Sequence, residues 1–206
     1  MSALTSPEFL LTSLIVVASP GTGVIYTLGA GLGRGARAAT IAAFGCTLGI
    51  LPHLAAAVLG LSAMIETSVV AFEILRVAGV AYLLYMAWMT LKETGALAVA
   101  ADGRDASALD ITVRAILLNL LNPKLTVFFL AFLPQFSDPA RGSLTLQMLA
   151  LGLVFIAQTV LIFGSMALAA GSIGGLLARK PCLGPWLDRL CGVLFIGLAL
   201  RLAVDE

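Results

Sequence analysis

The chain has 206 residues, 60% of them hydrophobic and only 11% charged, with a net charge of +1. A soluble domain carries roughly 25% charged residues, and this composition on a water-facing surface would leave apolar patches that associate. The near-zero net charge provides no basic field for nucleic acid, so the expected partners are a lipid bilayer and a small-molecule substrate.

A membrane span needs about 20 mostly apolar residues. Six segments qualify: 8–31, 37–61, 67–91, 113–137, 145–171 and 184–204. They are continuous apolar runs, longer than the strands of about ten alternating residues that build a membrane barrel. The predicted fold is therefore an all-α integral membrane protein with six transmembrane helices in a single domain, 1–206. No Lys or Arg precedes the first run and no small-residue cleavage site follows a short apolar core. The first helix is expected to stay in the mature protein.

The first span contains Ala18-Ser19-Pro20-Gly21. A proline inside a helix removes a donor and crowds the carbonyl four residues earlier, here that of Val16. Read as a helix start, Ser19 is a favourable N-cap and Pro20 sits at the first helical position. In the second span Gly45 and Gly49 have the spacing that lets helices approach closely, within one chain or in a homo-oligomer. His53, the only histidine, follows Pro52 there. The third span holds Glu73 and Arg76, three residues apart on one helix face. Glu73 is the first candidate for a proton carrier, being the acid well inside a span. His53 is the second, on its ordinary pKa range. A static ion pair and a helix–helix hydrogen bond are the structural alternatives for these groups.

A polar linker, 92–112, follows, and the fourth span then carries Leu121-Asn122-Pro123-Lys124. The same proline argument frees the carbonyl of Asn119 and makes Asn122 an N-cap. Asn119 and Gln158 are further polar groups able to line a site or bond across helices. Cys46, Cys182 and Cys191 form no CxxC pair. They are expected to pack as small hydrophobes, and no cofactor or metal is predicted.

Two stretches of the first half recur in the second. Arg76-Val-Ala-Gly79-Val-Ala-Tyr82-Leu83 matches the spacing of Arg189-Leu-Cys-Gly192-Val-Leu-Phe195-Ile196, and the first proline break matches the second. Residues 1–91 and 113–206 are therefore read as two three-helix repeats. An odd number of spans in each makes consecutive halves insert with opposite orientation, the inverted-topology plan of secondary transporters. Arg34, Arg37, Lys92, Arg104, Arg114, Arg179, Lys180 and Arg189 collect on one side, against Arg141 and Arg201 on the other. The richer side is expected in the cytoplasm, with both termini outside.

Both breaks fall near the membrane middle at about 1.5 Å per residue. Helix starts favour an anion, Lys124 adds a full charge, and freed carbonyls favour an ammonium. Ser19, Pro20, Gly21, Asn119, Asn122, Pro123 and Lys124 are thus the predicted substrate site, fitted to a zwitterion or an anion. Packing kinks and a lysine snorkelling its amine to the interface would use the same residues.

The residues that carry these features resemble the lysine exporter (LysE/RhtB-type) family of bacterial amino-acid exporters. The similarity rests on Ser19-Pro20-Gly21, the turn Gly31-Leu-Gly33-Arg34-Gly35-Ala36-Arg37, Gly45 and Gly49, and Gly79-Val-Ala-Tyr82-Leu-Leu-Tyr85. Its most specific part is Asn122-Pro123-Lys124 with Phe128-Phe129-Leu-Ala-Phe-Leu-Pro134-Gln135-Phe136. The resemblance implies two inverted halves and proton-driven export of amino acids or related metabolites across the bacterial inner membrane. Thr22 and Gly23 stand where the family usually has proline and a polar residue, often asparagine.

The alternatives are a cation or metal exporter of the same architecture, a membrane-embedded thiol–disulfide electron carrier, and a packing subunit of a larger complex. No Walker, HExxH or nucleophile-elbow motif points to an enzyme. Gly29-Ala-Gly31-Leu-Gly33 follows a predicted helix rather than the strand a nucleotide loop requires.

Overall fold

A computed structural model describes residues 6–19, 21–61, 69–92, 106–179 and individual positions between 186 and 203. The described residues are almost entirely helical and include no strand. Helix α1 runs Pro7–Ala18 and α2 Thr22–Arg34. Helix α3 runs Ala36–Leu48, and α4, Leu51–Ala56, continues into a π turn, Ala57–Leu61. Helix α5 is Val69–Lys92 and α6 is Ala108–Leu120. Helix α7, Pro123–Val127, passes into a π turn, Phe128–Phe132, and a 3-10 turn, Leu133–Phe136. Helix α8 is Leu144–Arg179.

Two helical stretches, 36–60 and 144–170, are long and apolar enough to cross a membrane, and four such spans result if each bent pair counts as one. The pairs are α1 with α2, bent by 50°, and α6 with the stretch from Pro123 to Phe136, bent by 49°. Both expected broken helices are therefore present. Of the sixth predicted span, 184–204, the described positions are helical. Residues 93–105 of the linker, Cys182, Cys191 and Phe195 lie outside the described residues.

Local chemistry sets the helix ends. Ser6 caps α1, with Pro7 in its first turn. Ser107 and Asp110 form a reciprocal capping box at the start of α6, which satisfies two backbone donors at once. That box opens the fourth helix at Ala108, inside the segment 92–112 expected to be linker. The Ser-x-x-Asp spacing before an apolar run was the signal for it. Gly35 takes a φ of 81° between α2 and α3, a conformation that costs little only without a Cβ. Asp138 caps the turn before α8 through Ala140 N at 2.9 Å, and its backbone is clamped by Gln147. Helix α8 continues eight residues beyond the predicted end of the fifth span.

The centre is made of small residues. Ala39, Ala42 and Cys46 on α3 are fully buried, and α3 packs against α2, α6 and α8. A Cβ on Gly45 would lie 2.8 Å from Thr112 O, and one on Gly49 would lie 2.9 Å from Ile116 O. The glycine pair therefore serves contact between α3 and α6 within one chain. Polarity is inverted relative to a soluble protein. Leu59, Leu121 and Leu168 are 76–80% exposed, whereas Ser19, His53, Asn119, Asn122 and Lys124 are buried. This is the arrangement for a solvent of lipid, in which polar groups must find partners inside.

Candidate functional site

The two proline breaks are closed by different means. At the first, Ser19 N bonds Ile15 O at 2.9 Å, and Ser19 Oγ donates to Val16 O at 3.0 Å. Val16 O is the carbonyl that Pro20 deprives of an amide. Helix α2 begins at Thr22, behind an extended Gly21 that supplies no capping side chain. This corrects the expectation that Ser19 caps the following helix and Pro20 opens it. Ser19 instead ends the preceding helix, because its short hydroxyl reaches back to the freed carbonyl. Pro20 itself lies outside the described residues.

At the second break the expected caps are present. Asn122 Oδ1 accepts from Lys124 N at 3.1 Å, and Pro123 occupies the first turn of α7. Asn119 O, freed by Pro123, accepts from Asn122 N at 3.0 Å and lies 3.1 Å from His53 Nε2. A carbonyl has no hydrogen to give, so His53 Nε2 carries the proton in this contact. The ring also stacks on Phe129 at 6.3 Å.

A third discontinuity escaped the sequence reading. Helix α3 stops at Leu48, Ile50 N turns to Thr47 O at 3.1 Å, and α4 starts one residue before Pro52. Asn119 Nδ2 donates to Cys46 O at 2.6 Å beside this step. Gly49 followed three residues later by Pro52 was the available signal. Asn119 thus joins α6 to α3 through its side chain and to α4 through its backbone.

Lys124 ties the breaks together. Its Nζ donates to Ser19 O at 3.0 Å and Ser19 Oγ at 3.1 Å, and only 6% of the residue is exposed. A Cβ on Gly21 would sit 2.9 Å from this ammonium, so glycine gives it room. Gly23 is equally constrained, since a Cβ there would lie 2.7 Å from Asn119 Oδ1. Cys46 packs beside it, with Sγ 3.8 Å from Gly23 O.

A cavity opens at this junction. Val16, Val24, Ile50, Leu125, Phe155 and Phe163 supply apolar walls, and Asn119, Asn122, Lys124 and Thr159 form its polar edge. Among the described residues, no aspartate or glutamate lines it. The space open to the centre of a water molecule is about 20 Å³, room for a water but not for an amino acid. Thr159 was not singled out from sequence, although it is a hydroxyl in an apolar run.

Ser19, Gly21, Asn119, Asn122, Pro123, Lys124 and His53 are therefore brought to one place. Glu73 is not. It is exposed on α5 and does not line the cavity, and the Arg76 side chain lies outside the described residues. Gln158 ties α8 to α1 through Leu10 O at 3.2 Å and is also absent from the cavity wall.

A family model described as LysE type translocator matches residues 14–206. The chain belongs to the LysE type translocator family. It is thus a membrane translocator, not an enzyme, and the resemblance drawn from its motifs holds over nearly its whole length. A protein of Vibrio cholerae described as an uncharacterized membrane protein is 31% identical over 199 residues, covering 96% of each chain. A homoserine/homoserine lactone efflux protein of Salmonella typhi is 32% identical over 195 residues, covering 95% of this chain and 94% of its own. A leucine efflux protein of Salmonella choleraesuis is 32% identical over 205 residues, covering 95% and 92%. No solved structure matches.

Proposed function

We propose that this LysE-type translocator is a secondary exporter of a neutral amino acid or a close derivative across the bacterial inner membrane, driven by the proton gradient. The observation that carries the reading is the buried Lys124 at the edge of an apolar cavity between two broken helices, with no acid among its described lining residues. A lysine at depth is costly, by several kcal/mol, unless it serves a partner. Beside it lies the N-terminus of α2, which has no capping side chain. Two positive ends side by side favour an anion, here the substrate carboxylate. Asn119 and Asn122 offer amide groups to the rest of the head, and Ser19, Gly21 and Pro123 shape the two breaks. The walls suit an uncharged, largely aliphatic side chain, since a second cation there would meet Lys124 and no acid.

The relatives' names support this class, since they describe efflux of leucine and of homoserine or its lactone. A metal cargo is less well supported, because no group of three or more His, Cys, Asp or Glu occurs among the described residues. A thiol–disulfide carrier would need a partner for Cys46, which is a free thiol packed against backbone. For proton coupling, the burial of His53 and its contact with Asn119 O favour it over Glu73, with Arg76 as an accessory candidate. The reading includes six spans in two inverted halves, both termini outside and an optional homo-oligomer.

The test is transport by the purified chain alone in proteoliposomes, comparing leucine, homoserine and lysine with and without an imposed pH gradient. Gradient-stimulated movement of leucine or homoserine, with lysine excluded, is the expected result. Equal movement of lysine, or no movement of any of them, overturns the reading.

A further inference from the structure

The bond between Lys124 and Ser19 joins residues 105 positions apart in sequence and spans the two broken helices. Both partners are buried, Ser19 at 3% exposure and Lys124 at 6%. An ammonium has three donors, and two of them are already directed at the oxygens of Ser19. A carboxylate that reaches Nζ from the cavity arrives as a competitor for those donors.

We propose that Ser19 is a positioning residue: it latches Lys124 in the closed arrangement, and the substrate carboxylate displaces it. The proposal rests on the carboxylate site assigned above. A carboxylate offers Lys124 a full negative charge, whereas Ser19 offers a carbonyl and a hydroxyl. The bonds to Ser19 are already charge-assisted through the ammonium; a carboxylate adds the attraction of a full opposite charge, which is strong in a low-dielectric interior, so the exchange is favourable once the substrate is in place. Its consequence is mechanical. The latch holds the end of α1 against the start of α7, and Val16 from α1 and Leu125 from α7 both line the same cavity. With water-centre space of only about 20 Å³, an amino acid fits only if such walls part. Exchange of Ser19 for the carboxylate removes the polar tie that opposes parting. The ligand thereby gains a differential affinity for the opened arrangement, which is what a population shift requires.

The hydroxyl can be removed without removing the lysine, so the sign of the effect decides the matter. L-leucine and L-leucinamide are titrated onto purified wild type, Ser19→Ala, Ser19→Gly and Ser19→Thr, and KM and maximal rate for leucine are measured in proteoliposomes. Loss of a hydroxyl that stabilises only the ligand-free state tightens leucine binding, by about three- to tenfold for one hydrogen bond. It lowers KM and maximal rate together, because release no longer regains the latch. Ser19→Thr restores wild-type values, and leucinamide binding hardly changes. Weaker leucine binding in Ser19→Ala and Ser19→Gly would make the hydroxyl a substrate ligand and overturn the latch. Unchanged binding and an unchanged KM would make it a helix cap only, and overturn it as well. If wild type binds acid and amide equally, or neither, the carboxylate site fails and the latch with it. A wild type that prefers the acid, with no tightening in the variants, defeats the latch alone.

Discussion

At the scale of single residues, the interior is governed by the need to pair every polar group away from lipid. Lys124 meets that need through Ser19, and Asn119 Nδ2 meets it through Cys46 O. Lys124→Met keeps the stem and removes the charge. It is expected to leave folding nearly intact, because a buried charge is rarely a net stabiliser. Binding of acid substrates should weaken by about tenfold, since a hydrogen bond to a charged group contributes roughly 1.5–3 kcal/mol. Lys124→Arg should recover only part, its planar fork being wider than an ammonium. Titration with acid and amide substrates checks this: equal losses for both would mark Lys124 as structural. His53→Gln keeps an amide donor for Asn119 O but cannot titrate. It is predicted to abolish pH-driven accumulation while substrate exchange between the two sides continues. Glu73→Gln, on the exposed face of α5, is predicted to retain accumulation. The opposite pattern in paired uptake assays would move the proton to Glu73.

Elements are held by small residues and by breaks. Helices α3 and α6 approach closely because Gly45 and Gly49 place hydrogen where a Cβ would strike Thr112 O and Ile116 O. Backbone cannot yield as a flexible side chain can. Gly49→Val is therefore expected to destabilise the protein by about 1–3 kcal/mol, the usual cost of overpacking. It should also disturb Asn119, whose Cβ lies 2.8 Å from the added atom. A lowered melting temperature with weaker substrate binding is the expected joint result. A loss of stability alone would separate the packing from the site. The breaks behave differently from one another because their chemistry differs. Asn122 reaches forward to Lys124 N, whereas Ser19 reaches back to Val16 O. Only the first of these arrangements follows the helix-start pattern by which both were read.

For the whole molecule, an apolar exterior encloses a polar seam, and the helices cross at that seam. Thr22 Oγ1 donates to Leu118 O and Tyr26 OH to Ile111 O, so α2 and α6 run antiparallel beside it. The charge bias of the loops then predicts residue 106 on the cytoplasmic side. Ala106→Cys in a cysteine-free background should resist an impermeant thiol reagent in intact cells and react after permeabilisation. Labelling from outside would invert the topology.

The sequence by itself determined the solvent of this protein, its helical class, the positions of both proline breaks and its family. Those depend on composition and on local rules, namely the length of apolar runs and what proline does to a backbone. It also picked out most of the residues of the proposed site, because Asn122-Pro123-Lys124 and Ser19-Pro20-Gly21 are local strings with a mechanism. Tertiary structure alone decided the partners: that Lys124 bonds Ser19, that His53 reaches Asn119 O while Glu73 stays outside, and that the glycine pair meets α6. It also decided that Ser19 faces backward. These are distance relations between residues far apart in the chain. They are fixed by which helix faces can approach, and that depends on the summed shapes of several helices rather than on any one stretch of residues.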